Sequence, residues 1–203
     1  MAVAKQLSAL ALAALGLLVE RAMHPYEMYQ LLMHRHEDRL LKVRPGTLYH
    51  AVGRLAEAGL VEATGTVKDG NRPERTNYAI LPAGRASLTA GLRELLAEPV
   101  KEYPRFPQAL SEAHNLPAAE VIELLAQRVV ALGQELAALD ADRKLALSRD
   151  VPRHFWIDVD YQQHLLRAEL AWIETLRAQL DDGSLPWMDG RTSPQILTEI
   201  VQL

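Results

Sequence analysis

One stretch decides how the fold is interpreted: RPGTLYH, at residues 44–50. Proline is favoured in the first turn of an α-helix, so the stretch predicts that a helix begins there. Leu48, Val52 and Leu55 continue this helix at the spacing of a single apolar face, and Gly59 is typical of a helix C-terminus. The helix is therefore expected to bury one side and to leave the other side in solvent.

The neighbouring elements make this helix the third of a series. Apolar residues at helical spacing predict two helices before it, and short segments rich in β-branched residues, Thr and Tyr predict two strands after it. The expected elements are helices at residues 5–21, 25–36 and 44–59, strands at 60–67 and 75–81, and a fourth helix from Pro82. The sequence thus predicts a mainly α protein with a small β-hairpin, in which residues 1–97 form a winged helix-turn-helix domain.

This domain type predicts which side chains meet double-stranded DNA. The third helix enters the major groove, and the tip of the hairpin, or wing, contacts the backbone or the minor groove. Polar and basic residues occupy both places, although a charged turn by itself is more typical of a solvated loop. The predicted DNA contacts are Arg44, Thr47, His50 and Arg54 on the helix and Lys68, Arg72 and Arg75 on the wing.

Charge is distributed unevenly along the chain. Residues 1–95 carry 12 Lys and Arg against 9 Asp and Glu, a net charge of +3, whereas residues 96–203 carry 10 against 17, a net charge of −7. Only the first half is therefore expected to attract a polyanion. The absence of Cys excludes disulfides, thiolate metal sites and cysteine nucleophiles.

Enzymatic motifs are missing from the sequence. There is no Gly-rich phosphate loop, no His-Glu-x-x-His and no Gly-x-Ser-x-Gly, and the seven His are scattered. We therefore expect no catalytic residue, no metal ligand and no cofactor. The apolar run at residues 7–19 is shorter than the about 20 residues that span a bilayer. Since Glu20 and Arg21 follow it, a buried first helix of a cytoplasmic protein with no membrane partner is favoured over an export signal.

The second half has the pattern of long helices. Prolines at 99, 104 and 107 separate it from the first half, so a helical domain is expected at residues 107–203. The apolar spacing predicts long helices at 117–148 and 160–182, an interruption at 150–160 and a short helix at 192–203.

Each long helix carries one predicted apolar stripe, and the stripe of the first has the alternating three- and four-residue spacing of a coiled coil. Two such helices bury their stripes poorly against each other alone, so we expect a homodimer. The alternative is a helical hairpin that packs within one chain on the first domain. The predicted dimer contacts are Val121, Leu125, Leu132 and Leu136 on the first helix and Leu165, Trp172 and Leu176 on the second.

Six short motifs follow one another along the first half of the chain: His24-Pro25-Tyr26-Glu27, Gly46-Thr47-Leu48-Tyr49, Arg54-Leu55, Gly59-Leu60, Arg75-Thr76-Asn77-Tyr78 and Pro82-Ala83-Gly84-Arg85. In the order and spacing of these motifs the chain resembles the PadR family of winged-helix repressors. The C-terminal helices look like the dimerisation part of longer members, so the resemblance covers nearly the whole chain.

This resemblance implies that Tyr26 and Tyr49 contact backbone phosphates, while packing between the second and third helices is the alternative for both. Arg44 stands at a position where many members have Ser or Thr. His50 stands at a position where many members have Pro. Because both positions belong to the expected DNA surface, the operator preference of other members is not carried over.

The predicted function is a sequence-specific transcriptional regulator, a repressor that binds a pseudo-palindromic operator as a homodimer. The resemblance also implies a small aromatic effector, for which Trp156 is the candidate contact; packing is the alternative for Trp156. A winged-helix adaptor that binds proteins without specific DNA binding is the alternative function, since +3 is a modest charge for a DNA-binding domain.

Overall fold

The computed structural model describes residues 7–67 and 75–187, and the wing tip and the short helix predicted at 192–203 lie outside these ranges. The chain divides into two compact units, residues 1–101 and 102–203. The N-terminal unit contains α1 (Ala9–Glu20), α2 (Pro25–His34), α3 (Pro45–Glu57), β1 (Val61–Val67), β2 (Arg75–Ile80) and α4 (Pro82–Ala97). The C-terminal unit contains α5 (Arg105–Ser111), α6 (Ala118–Ser148) and α7 (Ile157–Asp181). The predicted mainly α fold with a β-hairpin is confirmed.

The core of the N-terminal unit joins the first three helices. Leu15 and Leu18 of α1 pack with Met28 and Leu32 of α2 and with the apolar face of α3. The apolar run near the N-terminus is therefore a buried helix in this structure. Its N-terminus is capped by the Ser8 hydroxyl, which accepts from the backbone N–H of Ala11 at 3.2 Å.

The hairpin is attached to the helix-turn-helix by a backbone bridge. β1 and β2 pair antiparallel, with Val61 opposite Ile80 and a bulge between Ala63 and Gly65. Met23, which precedes α2, exchanges two backbone hydrogen bonds of 3.1 Å with Tyr78 of β2. This bridge fixes the base of the wing against the start of α2.

Most element ends follow the sequence signals, with three differences. Gly59 adopts the left-handed conformation after α3, as predicted, whereas α2 ends at His34 because His36 is itself left-handed. The stretch expected as an interdomain boundary contains α5, where Pro107 occupies the third helical position and needs no intrahelical N–H partner. Finally, α7 begins at Ile157 rather than near residue 160, and acidic residues in its first turn favour this start.

In the C-terminal unit, α6 and α7 form an antiparallel pair. The α6 seam of Val121, Leu125, Leu132 and Leu139 is buried against α7 of the same chain. These residues, predicted as contacts of a second chain, are thus buried within one chain: Val121, Leu125 and Leu132 lie in the core of the unit, and Leu136 packs at its edge. The reason is that α7 carries a second, inner seam that complements α6.

The inner seam of α7 differs from the predicted stripe. Its buried residues are Val159, Gln163, Leu166, Ile173 and Leu180. The predicted stripe lies on another side of the helix: Leu165 and Trp172 are 52% and 49% exposed, and Leu176 is half-buried. Because Gln163 interrupts the inner seam, the outer side looks more apolar in the sequence although it is not the side that packs against α6.

Candidate nucleic-acid interface

The outer face of α3 is polar and exposed. Leu48, Ala51, Val52 and Leu55 are buried, so the rotation of the helix is set by its apolar face. The predicted DNA contacts of this helix all lie on the exposed side: Arg44, Thr47, His50 and Arg54. α3 therefore presents two cations, an imidazole and a hydroxyl to solvent.

The hydroxyl of Thr47 is already engaged as a donor. Its Oγ1 donates to the backbone carbonyl of Arg44 at 2.9 Å, and the Arg44 side chain makes no cap hydrogen bond at this helix start. A hydroxyl whose proton is used locally retains its lone pairs. Thr47 can consequently accept from an external donor and offer its methyl group to an apolar contact.

Two tyrosines of α2 and α3 are partly exposed to solvent. Tyr26 in α2 is 41% exposed and Tyr49 in α3 is 44% exposed. The His24 ring meets the Tyr49 ring edge-on, with centroids 5.5 Å apart at an interplanar angle of 76°. The structure thus combines the two alternatives for Tyr49: its ring packs against His24, the residue that caps α2, while part of Tyr49 is exposed.

Ion pairs neutralise two arginines near the helix-turn-helix, whereas the arginines of the α3 face are in none of the ion pairs of the described residues. Arg35 donates to both carboxylate oxygens of Glu20, at 2.5 and 2.8 Å, and this bonding holds the pKa of Glu20 below its ordinary value. Arg21 pairs with Glu27 and lowers the pKa of that carboxyl in the same way. The described part of the chain contains no ion pair of Arg44 or Arg54, the two cations of the α3 face.

The predicted wing contacts fall largely outside the described residues. Lys68 and Arg72 lie in the undescribed wing tip, and for Arg75 the structure describes the backbone, which pairs with Val67 at the start of β2. In the described backbone, β1 ends and β2 begins at the two sides of this tip.

Trp156 is packed in the core of the C-terminal unit. It is 8% exposed, and its indole N–H donates to the carbonyl of Val151 at 3.0 Å. The Arg143 guanidinium lies 5.9 Å from the centre of the ring. These contacts describe the packing alternative for Trp156 rather than the wall of an effector site.

The outer side of α7 holds apolar residues that the sequence analysis only partly anticipated. Ile157, Tyr161, Leu165 and Trp172 are all exposed and follow each other at intervals of four, four and seven residues, which places them on one side of the helix. We call these four residues the outer stripe. Ile157 falls in the predicted interruption and Tyr161 at the start of the predicted second helix, and neither was included in the predicted stripe, although their spacing from Leu165 is a detectable signal.

Other site classes find no support in the described residues. Within residues 7–67 and 75–187 no cluster of His, Asp and Glu is arranged to hold a metal ion. None of the helices in these ranges is long and apolar enough to cross a membrane.

Comparisons with known proteins agree with this architecture. Residues 14–90 match the model of the transcriptional regulator PadR-like family. No curated protein matches the sequence.

Solved structures similar to the chain include three of bacterial proteins. The structure of Bacillus subtilis PadR in complex with operator DNA has a TM-score of 0.75 and 16% identity, covering 87% of this chain and 99% of that chain. The same protein in complex with p-coumaric acid gives a TM-score of 0.72 and 15% identity, over 86% and 99% of the two chains.

Similarity extends to smu.1604c from Streptococcus mutans UA159, with a TM-score of 0.64, 16% identity and coverage of 84% of this chain and 99% of that one. At these identities the likeness concerns the fold, whereas the family model matches part of the N-terminal unit. Over its winged-helix residues 14–90, the chain is similar to the PadR-like family of transcriptional regulators.

Proposed function

We propose that this regulator binds double-stranded DNA sequence-specifically by inserting α3 into the major groove. The observation that carries the proposal is the outer face of α3, where Arg44, Thr47, His50 and Arg54 are exposed on a helix whose other side is locked in the core. Cations without an intramolecular counter-charge attract phosphates, and side chains on such a helix reach base edges. The operator complex of Bacillus subtilis PadR supports this use of the fold.

The side chains divide into two roles in this proposal. Tyr26, Tyr49 and Arg44 contact backbone phosphates, which fixes the position of the domain on the duplex. Thr47, His50 and Arg54 contact bases, and Lys68, Arg72 and Arg75 hold the flank through the wing. The acceptor character of Thr47 suits the exocyclic amino group of adenine or cytosine, and its methyl group suits that of thymine.

The C-terminal unit is proposed to join two copies of the chain. The proposed division of labour assigns DNA binding to residues 1–97 and dimerisation to residues 107–203. The outer stripe supports this because α6 leaves it exposed, including a Trp and a Tyr, the residue types enriched at interfaces. Leu165 and Trp172 remain proposed dimer contacts, and two-fold symmetry would match a pseudo-palindromic operator.

Repression and release by a small aromatic effector complete the proposal. Support comes from Bacillus subtilis PadR, which has been solved both with operator DNA and with p-coumaric acid. Because Trp156 is packed, an effector of this class would bind through other residues.

Selection of bound fragments from a genomic library by the full chain tests the proposal directly. We expect enrichment of a sequence with two related half-sites, bound more tightly than a random duplex of the same length. A matched variant, Thr47→Ala, should enrich a different or broader sequence. Failure to bind any duplex at low salt would instead favour the protein-interaction adaptor.

A further inference from the structure

His24 occupies the junction between α2 and the exposed tyrosine of α3. We propose that His24 is a positioning residue for DNA binding: its ring is fixed by the N-terminus of α2 and in turn holds Tyr49 so that the phenol hydroxyl is preset for a backbone phosphate. The inference rests on the proposed function, and it assigns to His24 a role beyond capping a helix.

The first step is the fixation of the imidazole. The backbone N–H of Tyr26 donates to Nδ1 of His24 at 3.0 Å, so this nitrogen carries no proton and the neutral ring has its proton on Nε2. The following Pro25 restricts the backbone of His24 to the extended conformation that it adopts. Both the main chain and the ring of His24 are thereby held in place.

The residue that caps α2 is of an unusual type. Ser, Thr, Asp and Asn are the side chains that usually cap α-helices, and each of them supplies an acceptor without a ring. His24 supplies the same acceptor together with an aromatic surface, and that surface meets Tyr49 edge-on with a centroid separation of 5.5 Å. Edge-to-face geometry is a favourable arrangement of aromatic rings.

The consequence concerns the freedom of Tyr49. Tyr49 is 44% exposed, and an exposed side chain that becomes ordered on binding loses conformational entropy. A contact that orders the ring before binding removes part of this cost. For one side chain the effect corresponds to roughly threefold to tenfold in affinity.

A mutant cycle separates this role from helix capping. The full chain is titrated by fluorescence anisotropy against a labelled random-sequence duplex at low salt, because a phosphate contact acts on every sequence. His24→Asn keeps a preferred cap but removes the ring, so we expect an unchanged circular dichroism melt and roughly threefold to tenfold weaker binding. Tyr49→Phe should also weaken binding, and His24→Asn should have no further effect in that background.

Two further variants complete the design. His24→Phe returns an aromatic edge without the acceptor, and it should recover affinity relative to His24→Asn while lowering the melting temperature. His34→Asn, a change at an exposed histidine of α2 that takes no part in the proposed interface, is the matched control and should bind as the wild type does.

The possible outcomes distinguish the inference from the proposed function. The positioning role is overturned if His24→Asn or Tyr49→Phe binds as the wild type does, if their losses multiply in the double variant, or if folded His24→Phe recovers nothing. A wild-type chain that does not bind the duplex at all contradicts the proposed function itself.

Discussion

At the scale of single residues, Arg44 shows how a departure from a common helix cap changes the surface. The side chain makes no cap hydrogen bond and stands exposed at the beginning of α3, where unsatisfied N–H groups already favour an anion. A cation here adds to the attraction of a phosphate, whereas a Ser or Thr would have satisfied the helix end internally.

We therefore predict that Arg44→Ala weakens binding to all duplexes alike. Its removal should lower the slope of log affinity against log salt concentration by about 0.9, the value for one phosphate contact. The slope is measured by anisotropy titrations at several salt concentrations. Arg149→Ala, which removes an exposed arginine of the C-terminal unit, serves as control, and equal slopes for wild type and Arg44→Ala would remove Arg44 from the interface.

Gly84 is a second position where one residue decides a contact. It lies in the first turn of α4, and a Cβ at this position would stand 2.1 Å from the backbone carbonyl oxygen of Leu60. Since that oxygen belongs to the main chain just before β1, no side-chain movement relieves the overlap.

Gly84→Ala should lower the free energy of unfolding by about 2–3 kcal/mol, the upper range for overpacking. Gly16→Ala in α1 is the matched control, because a Cβ there meets nothing within 4 Å. Helix propensity predicts a gain of about 0.5–1 kcal/mol for the control. Urea denaturation of both variants checks the pair, and similar stabilities would show that α4 shifts to admit the methyl group.

At the scale of secondary-structure elements, the α6–α7 pair contains a polar residue inside its apolar seam. The Gln163 side chain is fully buried; its amide donates to Asp140 at 2.8 Å, while its Oε1 has no partner among the described residues. Asp140 also accepts from Arg167 at 3.0 Å. Such a residue costs stability, but its fixed hydrogen bond favours one register of the two helices.

Replacing Gln163 by Leu should raise the free energy of unfolding by about 1 kcal/mol, because a buried oxygen without a partner is removed and Asp140 keeps Arg167. Gln163→Ala is the contrasting variant and should lower stability by leaving a cavity. Thermal and urea unfolding measure both effects. If Gln163→Leu is less stable than the wild type, the hydrogen bond from the Gln163 amide to Asp140 stabilises the fold by more than the buried Oε1 destabilises it.

At the scale of the whole molecule, α7 has two apolar sides, of which only one packs against α6. The inner seam is satisfied by α6 within one chain, and the outer stripe has no covering element among the described residues of its own unit. An exposed stripe of this length on one helix is typical of an interaction surface. The proposed dimer accordingly depends on the outer stripe and not on the α6 seam.

Trp172→Glu should convert a dimeric full-length chain into a monomer that keeps its helical content. Loss of the linked second half-site should then weaken operator binding by roughly 10²–10⁴-fold. Light scattering at micromolar concentration and anisotropy test the two effects. Val130→Glu, which places the same charge at an exposed position of α6, should remain dimeric, and a monomeric wild type would contradict both the dimer and the palindromic operator.

The order of the elements and the orientation of α3 followed from local signals alone. Pro45 and Gly59 bound a helix whose inner face is defined by Leu48, Val52 and Leu55, so the exposed positions of this helix were predictable without knowledge of its neighbours. The wing strands and the long helices were predictable for the same reason, since backbone preference and periodicity act between residues close in the chain.

Contacts between elements were decided only by the tertiary structure. The apolar residues of α7 fit two sides of the helix, and periodicity does not determine which side faces α6, because that depends on the relative rotation of two packed helices. The edge-on contact of His24 with Tyr49 has the same origin: it joins residues far apart in the sequence, through the angle at which α2 crosses α3. Local sequence therefore determined which elements form and which face of α3 is polar, while packing determined which side of α7 is left exposed and what holds Tyr49.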